Sequence, residues 1–269
     1  MWAEWVTPET IDSRVWPRTA AIAERLWSPR EVRDLPDMYR RLAVVSRRLE
    51  EAGLRHESYV DSALRRLAGD DATPADLAAL RAFVDLIEPV KDYRRGGQQP
   101  NANQATPLTG LVDCARPDSA PARALAAAVD ALVLAPAGNA PDAGAVTRLL
   151  AGWKSTAASL ESGLFMRSPR LQEVAPLVRS LGAAITVGEE AVRALEAGRA
   201  PAAGWRQAQF AKLDQAAQPH DAAELPVIGS IKMLVAAATE QEQRGKLSVE
   251  AWQQHLLSIV IPPAKSTTP

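Results

Sequence analysis

The chain is poor in the residues that build metal, redox and disulfide sites. Its 269 residues include one cysteine and three histidines, His56, His220 and His255, which lie far apart. A lone Cys114 excludes an intramolecular disulfide, and zinc sites need several such ligands at close spacing. The sequence also has no glycine-rich phosphate loop. It therefore predicts no metal site and no cofactor.

The chain also lacks an excess of charge of either sign. Lysines and arginines number 31 and acidic residues 32, so the net charge is -1 and the pI is about 6.3. Proteins that bind nucleic acid or an acidic membrane surface carry a basic surplus. We therefore expect neither of these partners.

Long hydrophobic runs are missing as well. A helix that spans a bilayer needs about 18 consecutive apolar residues, and Asp130 interrupts the nearest candidate, residues 124–135. The chain starts without a basic segment ahead of an apolar one, the pattern of a signal peptide. We expect no membrane-spanning helix and no signal peptide on this chain, and its localisation is left open.

The most specific pattern is the opening of the sequence, where several tryptophans occur at fixed spacing. The residues concerned are Met1, Trp2, Glu4, Trp16, Pro17, Arg18 and the run 23–28. Together they resemble the last strand and last helix of the catalytic barrel of glycoside hydrolase family 20, the β-N-acetylhexosaminidases. The similarity continues through Met38, Tyr39, Arg41, Leu42 and residues 53–56, which makes about a fifth of the chain. No other part of the sequence resembles a known family.

The opening also has the pattern of a strand that ends at a sugar pocket. Residues 1–6 are apolar apart from Glu4, and alternate side chains of a strand share a face, so Trp2 and Glu4 point together. In a (β/α)8 barrel the active site lies at the carboxyl ends of the strands. An indole ring packs on a sugar face, and a carboxylate accepts hydrogen bonds from its hydroxyls. Trp2 and Glu4 are thus the predicted substrate-binding residues, and the resemblance implies a pocket for an N-acetylhexosamine.

The catalytic residues of the family have no counterpart here. The resemblance implies a substrate-assisted retaining mechanism, in which an adjacent Asp-Glu pair on an earlier strand orients the acetamido group and protonates the leaving oxygen. The doublets Asp70-Asp71 and Glu189-Glu190 lie in a predicted turn and a predicted helix, so neither fits. We expect no catalytic residue in this chain.

Length leads to the same expectation. Such a barrel needs roughly 250 residues, whereas only the first 55 or so look like barrel. We therefore expect the C-terminal portion of such an enzyme, inactive alone, from an interrupted or truncated gene or an internal start codon. Its implied partner, in the complete enzyme, is a glycan that contains N-acetylhexosamine.

The remaining sequence has helical periodicity. The first helices are predicted at 18–27, 36–52, 59–68 and 74–88, the third capped by Ser58, the fourth capped by Thr73 with Asp76 and stopped by Pro89. Residues 91–107 are polar and predict a mobile loop. Later helices are predicted near 120–134, 142–165, 170–197 with a break at Pro176, 201–217, 222–243 and 248–259.

The predicted fold class is mainly α: the last strand and helix of a truncated (β/α)8 barrel, then an antiparallel helical bundle. The predicted divisions are a barrel remnant (1–56), a helical extension (57–89), a loop or linker (90–118), a helical bundle (119–260) and a disordered tail (261–269). Three functions stay open: part of a β-N-acetylhexosaminidase, a carbohydrate- or protein-interaction module with exposed Trp153, Trp205 or Trp252, or a structural appendage that buttresses the barrel or mediates homo-oligomerisation.

Overall fold

A computed structural model describes residues 5–91, 94–103, 105–135 and 142–261. The described chain is mainly helical, as predicted, and has two strands of two residues each. None of the described helices is long and apolar enough to cross a bilayer. The predicted opening strand lies in residues 1–6, of which 1–4 are outside the described part, and the predicted tail lies outside it from residue 262.

The opening segment continues into three helices, α1 (Ile11–Val15), α2 (Arg18–Trp27) and α3 (Leu35–Glu51). α1 was not among the predicted helices. The prediction for α2 is confirmed, and α3 agrees to within a residue. Asp34 caps α3 by accepting the N–H of Asp37 at 3.0 Å, which satisfies a donor that the helix itself leaves free. Only one residue of these two longer helices is buried, Ser46.

The next helices are α4 (Ser58–Ala68) and α5 (Pro74–Leu86). Thr73 and Asp76 form the predicted capping box at the start of α5. Two predictions were wrong. Ser58 is the first residue of α4, and its cap position is held by Glu57 without a side-chain hydrogen bond. α5 ends at Leu86 rather than at 88, because Glu88–Pro89 forms strand β1.

Residues 90–118 contain more structure than a mobile loop. They include α6 (Arg94–Gln98) and α7 (Leu111–Cys114). Leu111, Val112 and Cys114 are buried in the main hydrophobic core. Their burial holds residues 111–114 in place, although the polar residues 91–107 before them predicted a mobile loop. The division of the chain into domains stays a prediction.

The later helices surround a long central helix. Their bounds are α8 (Ala120–Val133), α9 (Gly144–Ser159) continued by a π-helical turn (Leu160–Leu164), α10 (Phe165–Arg167), α11 (Pro169–Gln172), α12 (Ala175–Glu196), α13 (Trp205–Ala216), α14 (Ile228–Thr239), α15 (Gln241–Arg244) and α16 (Val249–Val260). α12 packs on α9, α13 and α14. A side-chain carbon at Gly188 would lie 3.0 Å from Leu150 of α9, so glycine allows the close approach there.

The break expected at Pro176 is confirmed, since the chain leaves α11 at Gln172 and restarts as α12 at Ala175. The helix expected at 222–243 was wrong at its start. Residues Ala223–Glu224 form strand β2, which pairs antiparallel with β1, Glu88 opposite Glu224. Backbone pairing with β1 takes this stretch out of the helix, and α14 begins only at Ile228.

Candidate functional site

The predicted sugar-binding residues Trp2 and Glu4 lie outside the described residues. The first described residue is Trp5, which directly follows Glu4 in the sequence. The site is therefore described from Trp5 onwards, along the opening segment (residues 5–15) and the side chains of the helical body that contact it.

Arg95 of α6 holds Trp5. Its guanidinium carbon lies 4.3 Å from the centroid of the Trp5 ring, and its Nη2 donates to Oδ1 of Asp113 at 2.6 Å. Nε of Arg95 donates to Oε1 of Gln99 at 3.3 Å. Arg95 and Asp113 are 4% and 5% exposed, so this is a buried ion pair with an aromatic ring on one face.

Asp113 of α7 connects this pair to the rest of the molecule. Its Oδ2 accepts the N–H of Gly110 at 2.9 Å, and its main-chain carbonyl accepts the hydroxyl of Tyr59 at 2.7 Å. The same carbonyl accepts Nη2 of Arg14 at 3.3 Å. Asp113 therefore links α4, α6 and α7 to two points of the opening segment.

Further contacts fix the middle of the opening segment. Oε2 of Glu9 accepts Nη2 of Arg66 at 2.9 Å, and Oδ2 of Asp12 accepts the N–H of Arg55 at 2.8 Å. The Glu9–Arg66 pair is half exposed, and exposed ion pairs contribute little to stability. These contacts therefore fix the position of the opening segment and contribute little to the free energy of unfolding.

Asp221 lies at the outer side of the same cluster. Its Oδ1 accepts the amide of Gln99 at 3.0 Å, and Asp221 and Ala222 have φ values of 46° and 60°. Non-glycine residues in this left-handed region store strain and occur often at functional sites. Burial, with the nearby charge of Asp113, raises the pKa of Asp221, against the lowering effect of the Gln99 hydrogen bond.

A small cavity separates the opening segment from α3. Its volume is about 140 Å³, and its lining includes Trp16, Tyr39, Ser46 and Arg123. The guanidinium carbon of Arg123 lies 3.9 Å from the ring centroid of Tyr39. Burial and the charge of Asp118 raise the pKa of Tyr39. Trp16 therefore lies where the opening segment meets α3.

The outer face of α2 is apolar and uncovered. Ile22, Leu26 and Trp27 are 60%, 80% and 89% exposed, and Leu35 at the start of α3 is 64% exposed. Ile22 and Leu35 line a groove of about 680 Å³ between α2 and α3, and Leu26 and Trp27 lie on α2 outside that groove. We call these four residues the α2 face. An uncovered apolar patch of this kind marks a surface on which other protein packs.

Glu24 and Arg25 of α2 have separate partners, as expected for adjacent helix positions. Glu24 accepts Nη2 and Nε of Arg41 at 2.5 and 3.2 Å, and this hydrogen bonding lowers the pKa of Glu24. Arg25 donates to the carbonyls of Pro29, Arg30 and Val32. Both are structural contacts that fix the turn between α2 and α3.

The three tryptophans of the helical body do not form a common platform. Trp252 is buried, and its Nε1 donates to the carbonyl of Val133 at 2.9 Å. Trp153 and Trp205 are half-buried and pack against the main core. The interaction module required these tryptophans to be exposed, and the burial of Trp252 counts against it.

The acidic doublets do not form a catalytic pair. Asp70 and Asp71 are exposed in a turn. Glu189 pairs with Lys154 at 2.9 Å, while Glu190 accepts the amide of Gln209 at 3.0 Å. Within the described ranges there is no cluster of three His, Cys, Asp or Glu side chains suited to a metal ion. Burial raises the pKa of the Cys114 thiol to about 12.

Sequence reasoning missed the cluster around Arg95. Arg95 and Gln99 lie in the polar stretch that predicted a loop, Asp113 lies in a four-residue helix that was not predicted, and Asp221 lies between two predicted helices. The short apolar run around Asp113 was the one available signal that this stretch is packed.

Known proteins are similar to the opening of this chain in sequence and to most of the chain in structure. The family model for the catalytic domain of glycosyl hydrolase family 20 matches residues 1–30. A probable beta-hexosaminidase, fdl, of Drosophila melanogaster is 46% identical over 63 residues, 22% of this chain and 10% of that protein. The beta subunit of beta-hexosaminidase of Mus musculus is 44% identical over 54 residues, 20% of this chain and 10% of that protein.

The helical body also has a structural relative. A chitobiase of Flavobacterium johnsoniae matches with a TM-score of 0.75 and 32% sequence identity, over 87% of this chain and 34% of that chain. The match therefore extends well beyond the opening segment, into helices that resembled no family by sequence. The chain spans about a tenth of the curated relatives and about a third of the chitobiase.

Proposed function

This chain belongs to glycoside hydrolase family 20, and we propose that it is the C-terminal part of a β-N-acetylhexosaminidase. Such an enzyme hydrolyses terminal N-acetylhexosamine residues of glycans. In the proposed reaction the acetamido oxygen of the sugar attacks its anomeric carbon, while an acid protonates the leaving oxygen. The Asp-Glu pair for these steps comes from barrel strands that this sequence does not contain.

This chain supplies one wall of the pocket. Trp2 offers its ring to the apolar face of the sugar, and the Glu4 carboxylate accepts hydrogen bonds from ring hydroxyls. These contacts hold the sugar while the reacting groups meet, which is how orientation lowers a barrier. The helical body acts as a buttress that holds the opening segment through Arg95, Arg66 and the carbonyl of Asp113, which accepts Arg14.

The observation that carries this proposal is the α2 face. Leu26 and Trp27 on this apolar helix face are almost fully exposed. A face of this kind normally packs against another layer of protein. In a (β/α)8 barrel each outer helix packs on the strands within. The missing layer is therefore assigned to the rest of the barrel, in agreement with the family match to residues 1–30.

An interaction module is less well supported. That function needs exposed aromatic side chains gathered in a groove, whereas Trp252 is buried and Trp153 and Trp205 pack against the core. The buttress function agrees better with the contacts, because Arg95 and Arg66 of the helical body contact Trp5 and Glu9 of the opening segment.

The first test uses the chain alone. The purified chain should release no chromophore from a nitrophenyl N-acetylglucosaminide above the level of a Trp2→Ala, Glu4→Ala double variant. Release above that control would contradict the proposal that the chain lacks the catalytic pair.

The second test restores the barrel. This chain replaces the matching third of the F. johnsoniae chitobiase, and hydrolysis of the same substrate is measured. Glu4→Gln should then lower kcat/KM about 10- to 150-fold, because a hydrogen bond to a charged group contributes about 1.5–3 kcal/mol. Glu50→Gln, a change in α3 outside the pocket, is the matched control. Full activity in the Glu4→Gln protein would refute the assigned pocket.

A further inference from the structure

We propose that the cavity between the opening segment and α3 is a binding site for a small free carboxylate, with Arg18 as the group that binds its charge. We call this space the junction cavity. Its volume is about 140 Å³, and a cavity of about 150 Å³ holds a benzene ring. The apolar part of the ligand is therefore about the size of such a ring. This inference goes beyond the proposed function and does not depend on it.

Most of the charged side chains that line the junction cavity pair with one another. Asp118 pairs with Arg123, and Oε1 of Glu57 lies 3.5 Å from Nη1 of Arg116. All four line the cavity together with Arg18. In the described part of the chain no carboxylate pairs with Arg18, so its charge is available to a ligand.

The Arg18 guanidinium is half-buried and has donors to spare. It carries five N–H groups, and Nη2 donates to the carbonyl of Arg14 at 2.9 Å. Burial, and then the positive charge of Arg14, lowers the pKa of Arg18, against the raising effects of Asp118 and Glu88. A partly desolvated cation beside a second cation gains from a bound anion, because the anion offsets both effects.

The hydroxyl groups of the lining are already engaged. Ser46 donates to Oε1 of Glu57 at 2.8 Å, and its Oγ lies 2.7 Å from Nε2 of the buried His56. The hydroxyl of Tyr39 is hydrogen-bonded to Asp118. A phosphate would need several further donors, whereas a carboxylate is satisfied by the two parallel N–H groups of one guanidinium. The free donors therefore favour a carboxylate.

The apolar part of the lining suits the rest of such a ligand. Trp16, Pro17 and Leu42 line the cavity, and an aromatic ring packs well against an indole in offset or edge contact. Ala43 of α3 lines the cavity and is exposed, so a ligand can enter from solvent. The site thus combines a cation with an apolar wall, which is the chemistry that recognises a small aromatic or branched monocarboxylate.

The first experiment titrates the full chain with sodium benzoate in a calorimeter at constant ionic strength. Benzoate should bind at one saturable site, and benzamide, its uncharged analogue, should bind at least about tenfold more weakly because it cannot form the charge-assisted pair. Inorganic phosphate should not compete. The indole N–H resonance of Trp16, assigned with a Trp16→Phe variant, should shift with the same saturation curve and locate the ligand.

Variants then test the two parts of the site. Arg18→Gln should weaken benzoate binding about 10- to 150-fold, because a hydrogen bond to a charged group is lost. Arg18→Lys keeps the charge without the planar fork and should lie between. Ala43→Leu fills the cavity from α3 and should abolish binding while Arg18 is unchanged. Arg40→Gln is the matched control, because Arg40 lies on α3 outside the lining and its side chain is 69% exposed.

Several results would overturn the inference. They are the absence of saturable benzoate binding, equal binding of benzamide, competition by phosphate at the same concentrations, or wild-type affinity in the Arg18→Gln chain. If Arg18→Gln does not fold, Ala43→Leu decides: lost binding supports the site, and unchanged binding overturns it.

A last measurement distinguishes a free ligand from a carboxylate side chain of the missing barrel. Benzoate is titrated into the joined protein, in which this chain replaces the matching third of the chitobiase. Binding that persists there supports a site for a free carboxylate. Binding that is seen in the chain alone but is lost in the joined protein shows that the barrel fills the cavity, and overturns the inference.

Discussion

Replacement of Asp113 by alanine is the sharpest test of how the opening segment is held. The change removes the partner of Arg95, which is 4% exposed, and leaves its charge buried. Loss of one partner of a buried ion pair costs about 3–5 kcal/mol. The N–H of Gly110 also loses its acceptor, for about 1 kcal/mol more. We therefore expect the free energy of unfolding to fall by about 4–6 kcal/mol.

The double variant R95M/D113L removes both charges and fills the space with apolar side chains. Such replacements are often neutral or stabilising by about 1–4 kcal/mol, so it should recover most of the loss. Asp61→Ala is the matched control. Asp61 pairs with Arg81 at 2.8 Å, but its side chain is 66% exposed, and removal of an exposed pair costs less than about 1 kcal/mol.

Urea unfolding of the four proteins, followed by far-ultraviolet circular dichroism, measures these differences. A loss below about 1 kcal/mol in the Asp113→Ala protein would refute the reasoning, since Arg95 would then be solvated or paired elsewhere. A double variant as unstable as Asp113→Ala would also count against it, because it would show that packing rather than the buried charge controls the cost.

Four further outcomes are expected. Thr73→Ala breaks the capping box of α5 and should cost about 1 kcal/mol in the same urea assay; no loss would show that the box is dispensable. Trp27→Lys should change the stability of the chain by less than about 0.5 kcal/mol, because the ring is 89% exposed; a large loss would mean that the ring is buried in solution. Cys114 should resist a thiol reagent at pH 8 in the folded chain and react after unfolding, since its pKa is raised to about 12 and the reactive thiolate forms only near that pH; fast reaction when folded would contradict its burial. For the same reason stability should fall as the pH rises above about 9, where an unfolded thiol loses its proton and the folded one retains it, and Cys114→Ala should weaken that fall in an alkaline urea series.

Local signals predicted most of the helices. The capping box at Thr73, the aspartate cap at Asp34 and the break at Pro176 each depend on a residue and its neighbours within one turn. Such interactions are encoded over four or five positions, so they are visible in the sequence.

Errors occurred where a distant segment decided the local structure. Residues 223–224 have neighbours compatible with a helix, but they pair with Glu88–Pro89, far away in the sequence. The polar stretch around Arg95 gave no local reason to be ordered. It is ordered because Asp113 and Trp5 meet that arginine in space.

For the candidate site, the sequence alone determined the family resemblance and the absence of an Asp-Glu pair, and it predicted that Trp2 and Glu4 share a face, because these depend on residue identity and spacing. Only the tertiary structure decided that Trp5, Arg14, Arg95 and Asp113 form one cluster and that the α2 face is uncovered. Those features depend on which surfaces of the chain exclude water from one another, and burial is a property of the folded whole rather than of any segment.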